Sequence, residues 1–103
     1  MIKEIAQVEI LPGQSADFLA AVNLAVAQVL ATATGFVAFE VYKSVERENV
    51  FMFEIQWETL ADHTIGFRES ELFPKWRAII GPYFASPPQV EHWGRAQPAA
   101  GAE

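Results

Sequence analysis

The sequence predicts an α+β domain of the ferredoxin-like kind, ordered β-α-β-β-α-β, and three observations carry that expectation. Four stretches alternate apolar and polar residues with a period of two. Two stretches between them repeat their apolar residues three and four apart, as helices do. The second and third strands are joined by a short charged turn, whereas a helix separates the strands of each flanking pair.

Taken in order, residues 2–11 place Ile2, Glu4, Ala6, Val8 and Ile10 in one phase and Lys3, Ile5, Gln7 and Glu9 in the other, before Pro12-Gly13 stops the strand. A helix is expected from Ser15 to Ala33, with Ser15 as N-cap and Asp17 near the positive end of the dipole. Its apolar stripe is Phe18, Val22, Ala25, Val26, Val29 and Ala33, and Gly35 ends it. The second strand, Phe36–Lys43, sets Val37, Phe39 and Val41 against Ala38, Glu40 and Tyr42. After the turn Ser44–Asn49, the third strand, Val50–Trp57, shows Phe51, Phe53, Ile55 and Trp57 on one face and Met52, Glu54 and Gln56 on the other. Helical spacing then runs from Thr59 to Phe67 and again from Glu71 to Ile80, closed by Gly81-Pro82. A last strand, Gln89–Trp93, follows Pro87-Pro88. Residues 1–94 thus read as one domain and residues 95–103, rich in Ala, Gly and Pro, as a flexible tail.

Composition narrows the function. A chain of 103 residues with 51% hydrophobic and 19% charged residues builds one core and is no disordered segment. The net charge of −6, with no basic stripe, argues against nucleic acid. The absence of cysteine removes disulfides, thiolate catalysis and thiolate metal sites, and two histidines alone make a structural zinc site an unpromising expectation, so no metal is expected. Met1-Ile2-Lys3-Glu4 begins no signal peptide, and Phe18–Ala33, interrupted by Asn23 and Gln28, is short for a bilayer; a soluble cytoplasmic protein is expected, with no membrane partner.

A sheet of this type carries helices on one face. The other face here bears Gln7, Glu9, Glu40, Tyr42, Met52, Glu54, Gln56 and Trp93, polar yet set with large semi-polar groups. That mixture fits a homodimer formed sheet to sheet through Gln7, Glu40, Tyr42, Met52 and Glu54 better than a bare solvated face.

No phosphate loop, nucleophile elbow, His-Glu-x-x-His or paired carboxylates are present. What remains is an aromatic cluster around an imidazole. His63 and Phe67 are four apart, Trp57 ends the strand leading into their helix, and Trp76 and Tyr83, with Phe73 and Phe84, follow on the next. Such a set lines a small-molecule pocket, or simply fills a core. His63 is the candidate general base, since imidazole titrates near neutral pH; the alternative is a half-exposed or carbonyl-bonded histidine. His92 alternates with Val90 and so faces the helices, and Arg68 either clamps an acidic substrate or caps its helix.

The run Trp57-Glu58-Thr59-Leu60-Ala61-Asp62-His63-Thr64, then Gly66-Phe67-Arg68-Glu69-Ser70, Trp76-Arg77, Gly81-Pro82-Tyr83-Phe84 and Pro87-Pro88-Gln89-Val90-Glu91-His92, resembles the second half of antibiotic biosynthesis monooxygenase (ABM) domain proteins. Gly35-Phe36 and Val41-Tyr42 fit its first half. The resemblance implies a dimeric α/β barrel with a ligand cavity between helices and sheet in each subunit. It also implies, for some members, cofactor-free oxidation of phenolic, quinol or anthrone-type aromatics by molecular oxygen. On that reading His63 is the base, Trp57, Phe67, Trp76 and Tyr83 hold the substrate, Tyr42, Tyr83 or Gln7 donates to the developing oxyanion, and no cofactor is bound. The alternative expectation is a non-catalytic dimer that binds a small apolar ligand or serves as a stress-response accessory. A haem-degrading branch resembles the chain less, since it relies on an Asn in the first strand where Gln7 stands here.

Overall fold

A computed structural model describes residues 1–101 of the chain. Its elements are β1 (Ile2–Glu9), α1 (Ser15–Gln28) with a 3-10 turn at Leu30–Thr32, β2 (Phe36–Lys43), β3 (Val50–Trp57), a π-helical turn at Asp62–Phe67, α2 (Leu72–Ile80) with a 3-10 turn at Gly81–Tyr83, and β4 (Gln89–Gly94). All strand pairs are antiparallel and the sheet order is β2-β3-β1-β4, the ferredoxin-like arrangement expected. Residues 95–101 form neither helix nor strand, and the last two residues of the expected tail, Ala102 and Glu103, lie outside the described residues.

Alternation builds the core as the period of two requires. Ala6, Val8 and Ile10 from the first strand and Phe51, Phe53, Ile55 and Trp57 from β3 point to the helical side and are buried. Phe18, Val22 and Ala25 of α1 close over them, all at 0% exposure. Phe18 lies 5.1 Å from Phe51 and 6.1 Å from Phe53, ring centre to ring centre, so this half of the sheet is sealed by direct aromatic packing. The segment Ser15–Thr32 is long and apolar enough to cross a bilayer by length and composition. In the fold it lies on the sheet with one stripe buried, Phe18, Val22 and Ala25, and its other side exposed.

Several local expectations are corrected. Helix α1 starts at Ser15, capped by no side chain, and ends at Gln28; the last turn tightens to 3-10. The first strand ends at Glu9, with Ile10 forming an isolated bridge to Phe84. In β2 a bulge between Phe36 and Ala38 changes the phase, so Phe36 pairs with Trp57, Phe39 with Ile55, and Val37 is left 39% exposed instead of facing the core. The segment Thr59–Phe67 is not an ordinary helix: its turn is widened, with the Arg68 N–H bonded to the His63 carbonyl at 2.9 Å, five residues back.

Register makes the outer face a lattice of rows. Ala38, Gln56, Lys3 and Trp93 form one row, Glu40, Glu54, Ile5 and Glu91 the next, and Tyr42, Met52, Gln7 and Gln89 the third. Among the described residues no helix covers these rows; Trp93 is 56% and Tyr42 44% exposed.

Candidate active site

The sheet row behind the outer carboxylates holds, on the inner face, Phe39, Ile55, Glu4 and His92. Glu4 therefore projects into the apolar side at 6% exposure. A carboxyl group in that position needs partners, and it has two. The Trp57 indole Nε1–H donates to Glu4 Oε1 at 2.9 Å, and His63 Nε2 lies 3.3 Å from the same oxygen. The other ring nitrogen, His63 Nδ1, is 2.8 Å from His92 Nε2. Trp57, Glu4, His63 and His92 thus form one hydrogen-bonded line, buried as far as His63 and half-buried at His92.

Two proton arrangements satisfy it. Either the His63 Nε2–H donates to the Glu4 carboxylate while the His92 Nε2–H donates to His63 Nδ1, or a protonated Glu4 donates to His63 and the His63 Nδ1–H donates to His92. With both imidazoles neutral, the second arrangement holds one proton more than the first, taken up at His92 Nδ1 as the others move along the line to Glu4. Burial pushes the Glu4 carboxyl above its ordinary value, opposed by the Trp57 hydrogen bond and by Arg68. Burial also pushes His63 down to about 4, assisted by the Arg68 guanidinium and by His92, so its imidazole is neutral at pH 7. His92 is lowered for the first two of these reasons. Among the described residues no group of three His, Asp or Glu is placed to hold a metal ion. The geometry shows why this line does not, since each of its groups spends its lone pair or proton on the next instead of converging on a shared point.

Positioning comes from both ends of the widened turn. Thr59 and Asp62 fasten its start reciprocally: the Asp62 N–H donates to Thr59 Oγ1 at 3.1 Å, and Thr59 returns bonds from its N–H and hydroxyl to Asp62 Oδ2. The Asp62 side chain occupies the space a Cβ on Gly35 would need, and Gly35 has φ +83°, so glycine is required there twice over. Beyond the turn, Ser70 Oγ accepts the Leu72 N–H at 3.1 Å and starts α2. The His63 ring stacks on Trp57 with centroids 5.3 Å apart and planes 19° apart.

Next to this line lies a cavity of about 290 Å³. Glu4 and His63 reach it, and Phe53, Phe67, Phe73, Trp76 and Phe84 supply most of its aromatic wall. Arg68 and Arg77 complete its lining from exposed positions. Of the residues singled out in the sequence, His63, Phe67 and Trp76 meet at this cavity. Trp57 and Tyr83 do not line it. Trp57 is wholly buried behind His63, and Tyr83 turns toward Phe18, 5.9 Å away. Tyr42 and Gln7 are also corrected as oxyanion donors, because both stand on the outer face of the sheet, where the Tyr42 hydroxyl donates to Glu40. That bond, with burial and the charge of Glu40 and Glu54, pushes the Tyr42 phenol up to about 12. Glu4 was not singled out by sequence reasoning, although a charged residue in the apolar phase of β1 was the available signal.

Residues 1–79 match the family described as Antibiotic biosynthesis monooxygenase, ABM. The chain belongs to the ABM family. A Bordetella bronchiseptica ABM structure is similar over 93% of this chain and 97% of its own, with 35% identity and a TM-score of 0.87. YczJ of Bacillus subtilis, an uncharacterized protein, is 31% identical over 93 residues, covering 90% of this chain and 97% of that protein. The ABM fold is shared with SnoaB, a cofactor-independent oxygenase from Streptomyces nogalater, at a TM-score of 0.77 and 12% identity over 94% of both chains. At that identity SnoaB speaks for the fold alone.

Proposed function

We propose that this ABM protein is a cofactor-independent monooxygenase acting on a small phenolic, quinol or anthrone-type aromatic. The observation that carries the reading is the Glu4–His63–His92 line, whose buried Glu4 and His63 reach an aromatic cavity. An electron-rich aromatic of this class reduces oxygen once its hydroxyl is deprotonated. The Glu4–His63 pair takes that proton, with His92 able to pass it on. The substrate anion gives one electron to oxygen, and the substrate radical and superoxide join to form a C–O bond. The resulting peroxide takes a proton back from the pair and loses water, leaving a new carbonyl. One oxygen atom enters the product and the other leaves as water, with the substrate as the only reductant. Phe53, Phe67 and Trp76 would keep the anion dry, which favours electron transfer over its re-protonation by solvent. Because His63 is held neutral, the proton comes to rest on Glu4 rather than on an imidazolium.

Oxygen consumption with a panel of quinols and anthrones tests the reading. Glu4→Gln and His63→Gln are each expected to lower the rate by about 100-fold or more. Wild-type rates in both variants would remove the pair from the chemistry. Absence of oxygen consumption with every reduced aromatic would leave a cavity that binds ligands without transforming them.

ABM proteins are commonly dimeric, and the uncovered rows of this sheet support a sheet-to-sheet homodimer through Gln7, Glu40, Tyr42, Met52 and Glu54. The described chain is a slab, 39 × 36 × 21 Å, whose apolar outer residues, Ile5 and Met52 among them, have no cover of their own. Tyr42→Asp would add a charge beside Glu40 and Glu54 and is expected to give monomers on size-exclusion chromatography; an unchanged dimer would place the interface elsewhere.

A further inference from the structure

The chain carries a net charge of −6, yet among the described residues the charged side chains at the cavity besides Glu4 are two arginines of its seven Lys and Arg residues. Among the described residues, ion pairs join Lys3 to Glu54 and Lys75 to Glu71, and neither Arg68 nor Arg77 takes part in one. Arg77 lies over the Phe73 ring, 5.8 Å from its centre, which fixes the guanidinium along the cavity wall. Arg68 is brought there by the widened turn. Its N–H bonds the His63 carbonyl, so the residue stands one turn beyond His63, on the same side, where regular i→i+4 bonding would rotate it away. Two elements thus deliver two unpaired forks to one mouth, above a wall of aromatic rings. The His63 imidazole is neutral at pH 7, so at the cavity floor one carboxylate, Glu4, faces two guanidinium groups and leaves a net positive charge.

We infer that the ligand of this cavity is an aromatic acid, whose ring lies among Phe53, Phe67 and Trp76 and whose carboxylate is held by Arg68 and Arg77. This rests on the reading of the cavity as the substrate site and names the chemical class the site selects. A carboxylate matches the planar guanidinium fork with two parallel N–H···O bonds, which neither a hydroxyl nor a neutral amide reproduces. Anchored at the mouth, the acid group would direct the opposite edge of the ring system inward to Glu4 and His63. An acidic surface elsewhere would repel the same ligand, so the arginine pair also marks the point of entry.

Isothermal titration calorimetry with 2-naphthoate, 2-naphthamide and 2-naphthol separates the possibilities without any turnover. The naphthoate is expected to bind at least tenfold more tightly than the amide or the naphthol, and the ratio should shrink as salt is raised. In the Arg68→Gln, Arg77→Gln double variant the ratio should fall to near one, and Arg68→Lys with Arg77→Lys should restore only part of it, since the ammonium keeps the charge but not the fork. Equal affinity for acid and amide in the wild type overturns the inference while leaving the cavity a ligand site. So does a preference that survives in the glutamine variant. Failure of all three to bind overturns the inference together with the site. Acid-selective binding without oxygen consumption by any carboxylated quinol upholds the inference and sinks the oxygenase reading alone.

Discussion

The two halves of the molecule run through the same plan, strand, helix, strand, and treat the sheet in opposite ways. In the first half, α1 is a regular helix of 14 residues, and Phe18, Val22 and Ala25 press its stripe onto the sheet with nothing left between. In the second half the crossover is broken into a widened turn at Asp62–Phe67 and a nine-residue α2. It covers the sheet incompletely, and the cavity lies in the space it leaves. The comparison teaches that regular helical packing closes a core, whereas a site needs a place where the period fails and a polar group is left inside. Glu4 sits under the irregular half, not the regular one.

The sharpest way to break this contrast is to truncate a large aromatic in each half and compare stabilities by urea unfolding. Phe18→Ala is expected to cost about 3–5 kcal/mol, because its ring is fully enclosed by Phe51, Phe53 and Tyr83. Trp76→Ala, although it removes a larger side chain, is expected to cost about 2 kcal/mol less than Phe18→Ala, since it widens an existing cavity open to water instead of creating a void. Equal costs would mean that the second half is packed as tightly as the first.

A smaller effect follows from the ionisable line of the second half. His63 takes a proton in the unfolded chain near 6.5 but only at about 4 when folded. Between those values the unfolded state binds more protons, so the His63 contribution falls as pH is lowered through that window. Glu4 acts in the opposite sense. Its raised carboxyl resists ionisation in the fold, which costs stability as pH rises above 4.5. Comparing unfolding of the wild type and His63→Gln at pH 7 and pH 4 isolates the imidazole. The wild type should lose on the order of 2 kcal/mol more over that interval. Parallel losses would show that His63 titrates as freely in the fold as in water.

Periodicity made the order of elements, the sheet partners and most inward-facing residues legible, because a period of two or 3.6 is written into each segment separately. The alternation of β4 even placed His92 on the helical side. Its partner was hidden, since His63 and His92 meet only through the β1–β4 register and the turn above it. The widened turn was also hidden, as His63 and Phe67 are four apart and read equally well in an α-helix. The bulge after Phe36 has no mark in the sequence that distinguishes it from regular alternation. Depth was misjudged for Trp57 and Tyr83, because spacing assigns a residue to a face but not to a distance from the cavity. Glu4 was visible as an acid in an apolar phase, and its significance appeared only once Trp57 and His63 were found to share its oxygen.

The i→i+5 turn that joins His63 to Arg68 differs from an α-helical turn by a single residue of length. A one-residue change in chain length at this turn would therefore alter whether His63 and Arg68 stand on the same side, with the sheet and α1 outside the change. Within such a fold, gain or loss of chemistry need not wait for substitution at the reacting residues. It can be written in chain length, at the one crossover where the sheet is not already sealed.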